Sequence, residues 1–397
     1  MDLLRPVVRP YAWGSRYGIA TLQGRPVPSA GPEAELWMGA HPSAPSGLER
    51  NQQQTTLDAV IAADPGRELG PDCLARFGAR LPFLLKVLSA DQALSIQVHP
   101  SRAQAEAGFR AENERGLAPG DPARNYVDDW PKPELLCALT PFEVLAGLRT
   151  PTDAAGILRA LAVDQVQPLA AELERGASDL SGVVGSILRW PEDGRKELVR
   201  RVMDACERLA SADGSYAGTC TAALRVAMDH PGDLGVVALL LMRHTVLEPG
   251  EAVFMPAGGL HAYLRGTGIE LLANSDNVVR AGLTGKHIDV PELLKLVDPA
   301  ISVPVLVPRV LPDGISWYDT PAPEFRLCLL DLRGPALALP GRGPRILLCL
   351  QGACKLRSSS GDRLELNQGG SCYIPAVDDL VHSTGFARLA LATTGAP

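Results

Sequence analysis

The chain has 397 residues, of which 46% are hydrophobic and 21% charged, with a formal net charge of −7. That length allows two or three domains, and that balance is too apolar for a disordered chain. An acidic total without any basic block offers no footing for nucleic acid.

The first residues, Met1-Asp2-Leu3-Leu4-Arg5-Pro6, lack the apolar core of a signal peptide. The longest apolar run, from Val236 to Met242, is far short of the ~20 residues that cross a bilayer. A soluble, cytoplasmic protein without a membrane or nucleic-acid partner is expected. The eight cysteines form no C-x-x-C pair and read as small buried apolar residues, not as a disulfide framework.

Residues 1–50 are rich in Pro, Gly and Ser, and two aromatic fragments stand out: Tyr11 to Ser15 around Trp13, and Ala34 to Pro42 around Trp37. Aromatics beside glycine either plug the end of a sheet or wall a sugar site, and packing is the commoner use. A short helix is predicted near Leu57 to Ala63. The apolar block from Leu81 to Val98 predicts strands, which Pro100 ends. Ser95, Gln97 and His99 alternate along it and so share one face, with Ile96 and Val98 on the other. Three polar groups on one strand face call for a metal, an anion or open solvent. Pro100 to Glu114 predicts a helix, and Gly116 to Trp130 a loop broken by Pro119, Gly120 and Pro122. Glu134 then heads an apolar strand, where an unpartnered carboxylate is costly.

From Thr150 to His230 the pattern turns helical. Leu198, Val199, Val202, Cys206 and Leu209 make one apolar stripe, and the segment reads as scaffold or lid. Strands are predicted again at Leu234 to Leu241 and, after the Glu248 to Glu251 turn, at Ala252 to Leu264. Gly258-Gly259 permits a tight turn, beyond which His261 and Tyr263 share a face. Ile269 to Ala273 leads into a polar loop carrying Arg280 and Lys286. That pair suits a phosphate, and a solvated loop with local Asn and Asp turns is the plainer reading. Asp289 to Val297 resembles a capped short helix. Beyond Ser302, short strands alternate with turns, which predicts a small all-β sandwich or barrel with a structural or oligomerising role.

Gln97, His99, Glu134 and His261 together supply an amide oxygen, two imidazoles and a carboxylate, donors that zinc accepts. Their dispersal along the chain makes spacing alone a weak argument. Longer motifs strengthen it. Pro82 to Leu88, Leu94 to Pro100 and Lys132-Pro133-Glu134 closely resemble motifs of type I mannose-6-phosphate isomerases. So do Ala34 to Pro42, Thr140-Pro141-Phe142, His261 to Leu264 and Asn274 to Thr284, all in family order.

The resemblance implies a mainly β chain with a helical insertion: two cupin-type β-barrel or jelly-roll domains plus an α-helical domain. The corresponding divisions are 1–149 and 232–301 for the catalytic domain, 150–231 for the insertion and 302–397 for the C-terminal domain. It implies one zinc ion per chain on Gln97, His99, Glu134 and His261, and a catalytic role for Arg280. Ser95, Lys86, Lys132, Tyr263, Glu270, Asp276, Lys286 and Trp13 match positions lining the substrate pocket. Gly285 and Arg265 depart from the family pattern, which has proline and glutamine there. The implied reaction interconverts mannose 6-phosphate and fructose 6-phosphate through an enediol. Lys286 and Ser95 are candidates for the phosphate, and Glu270, Asp276, Lys132 or a water on the metal for the general base. A cupin that binds a sugar phosphate without turnover is the first alternative. A cupin oxygenase fits the glutamine and glutamate donors poorly. A monomer or homodimer is expected.

Overall fold

Eight consecutive buried residues, Phe83–Ala90, form the strand (β1) on which the first sheet is built. A strand buried on both faces reads as an apolar run, and Lys86 and Ser89 are the polar exceptions in this one. Lys86 is only 6% exposed, so its ammonium must find carboxylates within the fold. The computed structural model describes residues 1–212 and 214–395.

The first sheet has 11 strands. β1 pairs antiparallel with Glu35–Met38 on one side and with the long strand β4 (His261–Ala273) on the other. Between them in sequence lie β2 (Ile96–Val98) and β3 (Glu134–Ala138), and β5 (Val279–Gly282) follows β4. β2 sits between β4 and β5, while β3 joins β4 further along. Pro100 ends the β2 segment, and Ser101 then caps the helix Arg102–Glu114 through a reciprocal bond with Gln104.

The helical segment is present, as Pro151–Leu161, Gln167–Arg175, Leu180–Leu188, Glu192–Ser211 and Ala217–Asp229. Its core contains Leu158, Val184 and Val202 together with Ile96 and Val98 of β2, Ala262 of β4 and Val279 of β5. The helices therefore form a scaffold behind the strands whose other face carries Gln97. Leu234 to Leu241 is helical too, as Gly235–Ala238 and a 3-10 turn Leu239–Leu241, and not a strand. All of these residues are buried, and a short all-apolar run carries no period that separates a strand from a buried helix.

The second sheet has eight strands, including β6 (Arg326–Ala338), β7 (Arg345–Ser358), β8 (Arg363–Asn367) and β9 (Val381–Thr393). Asp2–Leu3 pairs with Ser371–Ile374, so the start of the chain is a strand of this sheet. One apolar cluster joins Leu36, Leu85 and Leu135 of the first sheet to Leu327, Ile346 and Tyr373 of the second. All eight cysteines are buried and unpaired. Among the described residues, no helix is long and apolar enough to cross a membrane.

Candidate metal centre

Strand register assembles the site. Gln97 of β2 lies opposite His261 of β4 on one side and Arg280 of β5 on the other. Directly opposed residues share a face, so Arg280, Gln97 and His261 form one row. Arg280 thus belongs to a strand, where the sequence pointed to a polar loop. Hydrogen bonding to β2 overrides the turn-forming Asn274 to Asn277 stretch just before it. Ser95 likewise lies just before β2, half-buried, and His99 just after it. Glu134 opens β3, opposite Leu272 of β4.

His99, Glu134 and His261 are 1%, 1% and 0% exposed, and each offers a ligand atom within 4.8 Å of the others. His99 Nε2 is 3.1 Å from Glu134 Oε1, and His261 Nε2 is 3.4 Å from Oε2. Each ring is oriented by its other nitrogen. His99 Nδ1 donates to the Asn277 carbonyl at 2.7 Å, and His261 Nδ1 donates to the Gly259 carbonyl at 3.0 Å. A carbonyl only accepts, so in the neutral ring Nε2 is left with a lone pair directed at Glu134. The Gln97 amide nitrogen is 3.3 Å from His261 Nε2.

Protonation does not relieve this crowding of acceptors. Burial pushes the His99 pKa down to about 4, so the ring is neutral at pH 7. Burial alone would raise Glu134, but Lys132 and the imidazoles outweigh it and hold it well below the usual carboxylate value. Among the described residues, His99 Nε2 is left buried without a hydrogen-bond partner. Two nitrogen lone pairs and a carboxylate converging in a dry site are the donor set of a divalent metal ion, and their residues fit one.

A second layer of charge surrounds the cluster. Lys132 Nζ is 2.9 Å from Glu134 Oε1. Lys86 Nζ is 2.9 Å from Glu270, directly opposite it on β4, and 3.5 Å from Glu35. Burial works against the Lys86 charge, but Glu270, Glu35 and Glu134 outweigh it and raise its pKa. Glu270 is raised by its burial, against the pull of Lys86. The Tyr263 hydroxyl donates to Glu134 Oε2 at 3.4 Å from a position 1% exposed, which puts it behind the cluster. Burial and Glu134 raise the Tyr263 pKa, so the hydroxyl keeps its proton.

Asp276 is half exposed, with Oδ1 3.3 Å from His41 Nε2. Burial raises its pKa, but His41, Lys132 and Lys86 outweigh that and leave it lowered. Arg280 is half-buried with no ion-pair partner among the described residues. It lines a cavity of about 360 Å³ with Lys286, Arg124, Asn125 and His287. Trp13 stacks on Tyr11 at 5.8 Å and packs against the cluster of Leu88, Ala90 and Tyr263.

Four further residues of this region escaped the sequence reading as site residues. Glu35 accepts from Trp37 Nε1 at 2.8 Å and faces Lys86, and His41 holds Asp276. Asn277 takes Val127 N and Asp128 N on its side-chain oxygen and donates to the Asp128 and Trp130 carbonyls. Asp128 accepts from Ser275 Oγ and Asp276 N. Together they hold the carbonyl that orients His99. The available signal was a carboxylate alternating with tryptophan in an otherwise apolar strand, Glu35-Leu36-Trp37-Met38, where every residue is buried.

Comparison with known proteins places these residues in context. Residues 1–151 match the family model "Phosphomannose isomerase type I, catalytic domain". The mannose-6-phosphate isomerase of Escherichia coli K12 is 37% identical over 396 residues, covering 98% of each chain. That of Rattus norvegicus is 34% identical over 403 residues, covering 93% of this chain and 92% of its own. Among solved structures, a zinc-bound mannose 6-phosphate isomerase superposes with a TM-score of 0.90 at 35% identity, covering 100% of this chain and 99% of its own. A phosphomannose isomerase variant from Salmonella typhimurium superposes equally, with a TM-score of 0.90 at 34% identity and 100% of both chains covered.

Proposed function

The chain belongs to the type I mannose-6-phosphate isomerases, and on that footing we propose that it interconverts mannose 6-phosphate and fructose 6-phosphate through an enediol. One zinc ion per chain would be held by His99, Glu134 and His261, with Gln97 as the fourth donor once its amide oxygen turns inward. The observation that carries the reading is the buried meeting of two oriented imidazoles and an ionised carboxylate beside two lysines. When bound, zinc supplies Lewis acidity, which polarises the sugar carbonyl and favours the charge that develops on its oxygen.

The remaining work falls to the side chains. Ring opening and a proton shift between C1 and C2 need a group that both accepts and returns a proton. Asp276 has open access, whereas Glu270 is buried against Lys86 and Lys132 is committed to Glu134. We assign the proton shift to Asp276, steadied by His41. Lys86 and Lys132 keep positive charge close to the sugar oxygens. Arg280 and Lys286, which share the neighbouring cavity, are assigned to charge stabilisation and to the phosphate, with Ser95 as a further phosphate contact. We also read the two β units as cupin-type barrels, the first formed by 1–149 and 232–301 and the second by 302–397, with 150–231 as a helical insertion.

Metal analysis of the purified protein, with mannose 6-phosphate turnover measured before and after chelation, tests the proposal. One zinc per chain, activity lost on chelation and activity restored by zinc are expected. Stoichiometric zinc with no turnover would favour a sugar-phosphate binder instead.

A further inference from the structure

Phe386 is 74% exposed within β9, an open aromatic on a strand of otherwise mostly buried or polar residues. Its neighbours follow from register. β9 pairs with β7 and β7 with β8, so Phe386, Ala353 and Asn367 form one row across three strands. Thr384, Lys355 and Glu365 form the next, and His382, Arg357 and Arg363 the one after. Opposed residues share a face and alternate residues return to it, so these three rows lie on a single surface.

Arg357 and Arg363 are therefore placed directly opposite each other, an unfavourable arrangement of like charges in a ladder. Lys355, Arg357 and Arg363 are all exposed, and none has an ion-pair partner among the described residues. Among the described residues, Glu365 is the one carboxylate in the trough they line, which encloses about 990 Å³ with Ser359 and His382 at its side. A cationic trough runs against the net charge of −7 carried by the whole chain. It shares no residue with the metal centre.

We propose that this face of the C-terminal sheet binds a nucleoside diphosphate, its base on Phe386 and its phosphates across Arg357 and Arg363. Phe386 lies four positions beyond His382, which at ~3.3 Å per residue puts the aromatic ~13 Å from the arginine row. That distance suits the reach from a nucleobase to a terminal phosphate. Stacking on an aromatic accepts any base, and the guanidinium fork matches phosphate oxygens. A single aromatic suits one nucleotide; a bound strand of RNA draws on successive aromatics.

Titration calorimetry on the intact zinc-loaded protein tests this, with ADP, GDP and inorganic pyrophosphate as probes. Arg357→Ala combined with Arg363→Ala is expected to weaken all three by about tenfold or more. Phe386→Ala is expected to weaken ADP and GDP by about tenfold, the scale of one lost base stack, and to leave pyrophosphate unchanged. Isomerase turnover stays at the wild-type level in these variants, and the double variant melts no lower than wild type because it removes a like-charge pair. Absence of saturable ADP binding overturns the proposal. So does ADP binding that survives both sets of substitutions, or a uridine hexanucleotide that binds far more tightly than ADP.

Discussion

Ser95 and His99 flank the same short strand yet meet different surroundings. His99 is sealed in, its ring fixed by the Asn277 carbonyl, whereas Ser95 is half-buried and its hydroxyl has no partner among the described residues. On the proposed metal site, replacing His99 by Ala would remove a ligand and its orientation together. Metal affinity, read by competition with a chromogenic chelator, is expected to fall by 10–100-fold or more, on the order of losses seen when a ligand's support is removed. Ser95→Ala is expected to keep full metal occupancy and to raise KM for mannose 6-phosphate. Equal metal loss in both variants would contradict the division of labour along this strand. The alternation of Ser95, Gln97 and His99 was legible in the sequence because period two is a local property. The partners that complete the site were not, since Glu35, His41 and Asn277 reach it only through pairing of distant strands.

At the scale of elements, one cluster fastens the helical insertion to the first sheet. Glu143, in the strand Phe142–Leu148, accepts from His244 Nε2 at 2.7 Å and pairs with Arg225 of the helix Ala217–Asp229. Burial alone would raise the Glu143 pKa, but the His244 hydrogen bond and the Arg225 charge outweigh it and lower it. A carboxyl whose pKa is lowered on folding contributes stability above its unfolded value of about 4.3, and loses it as pH falls through the folded value. Glu143→Gln should therefore melt a few degrees below wild type at pH 7, and the gap should narrow as the pH falls below the unfolded value and close below the folded one. A gap independent of pH, in paired thermal melts, would show that charge is not what the clamp uses. The long helices of this region were legible from periodicity, as at Leu198 to Leu209, because an amphipathic stripe repeats over several turns. Leu234 to Leu241 was not, because a segment buried on all sides has no stripe.

Across the whole molecule, the two sheets share an apolar core, so neither presents a finished surface where the other begins. A chain ending at residue 301 would bare Leu36, Leu85 and Leu135 to water. Such a chain is expected to show no cooperative thermal transition and to aggregate at concentrations where the full chain stays dispersed; a sharp calorimetric peak would refute this. The β-rich character of the C-terminal third was legible in its short strands and turns. Its fusion to the first sheet was not, because an apolar residue in a sequence does not say which sheet it faces.

The pairing of Asp2–Leu3 with Ser371–Ile374 has a consequence for how the protein is made. A ribosome adding roughly 5–20 residues per second needs roughly 20–70 seconds to go from that strand to its partner. Through that interval the leading segment has no ladder to join, and the nascent chain carries an open sheet edge. The ladder of Asp2–Leu3 thus cannot close until Ser371–Ile374 has been made, and until then the second sheet waits for one of its own strands.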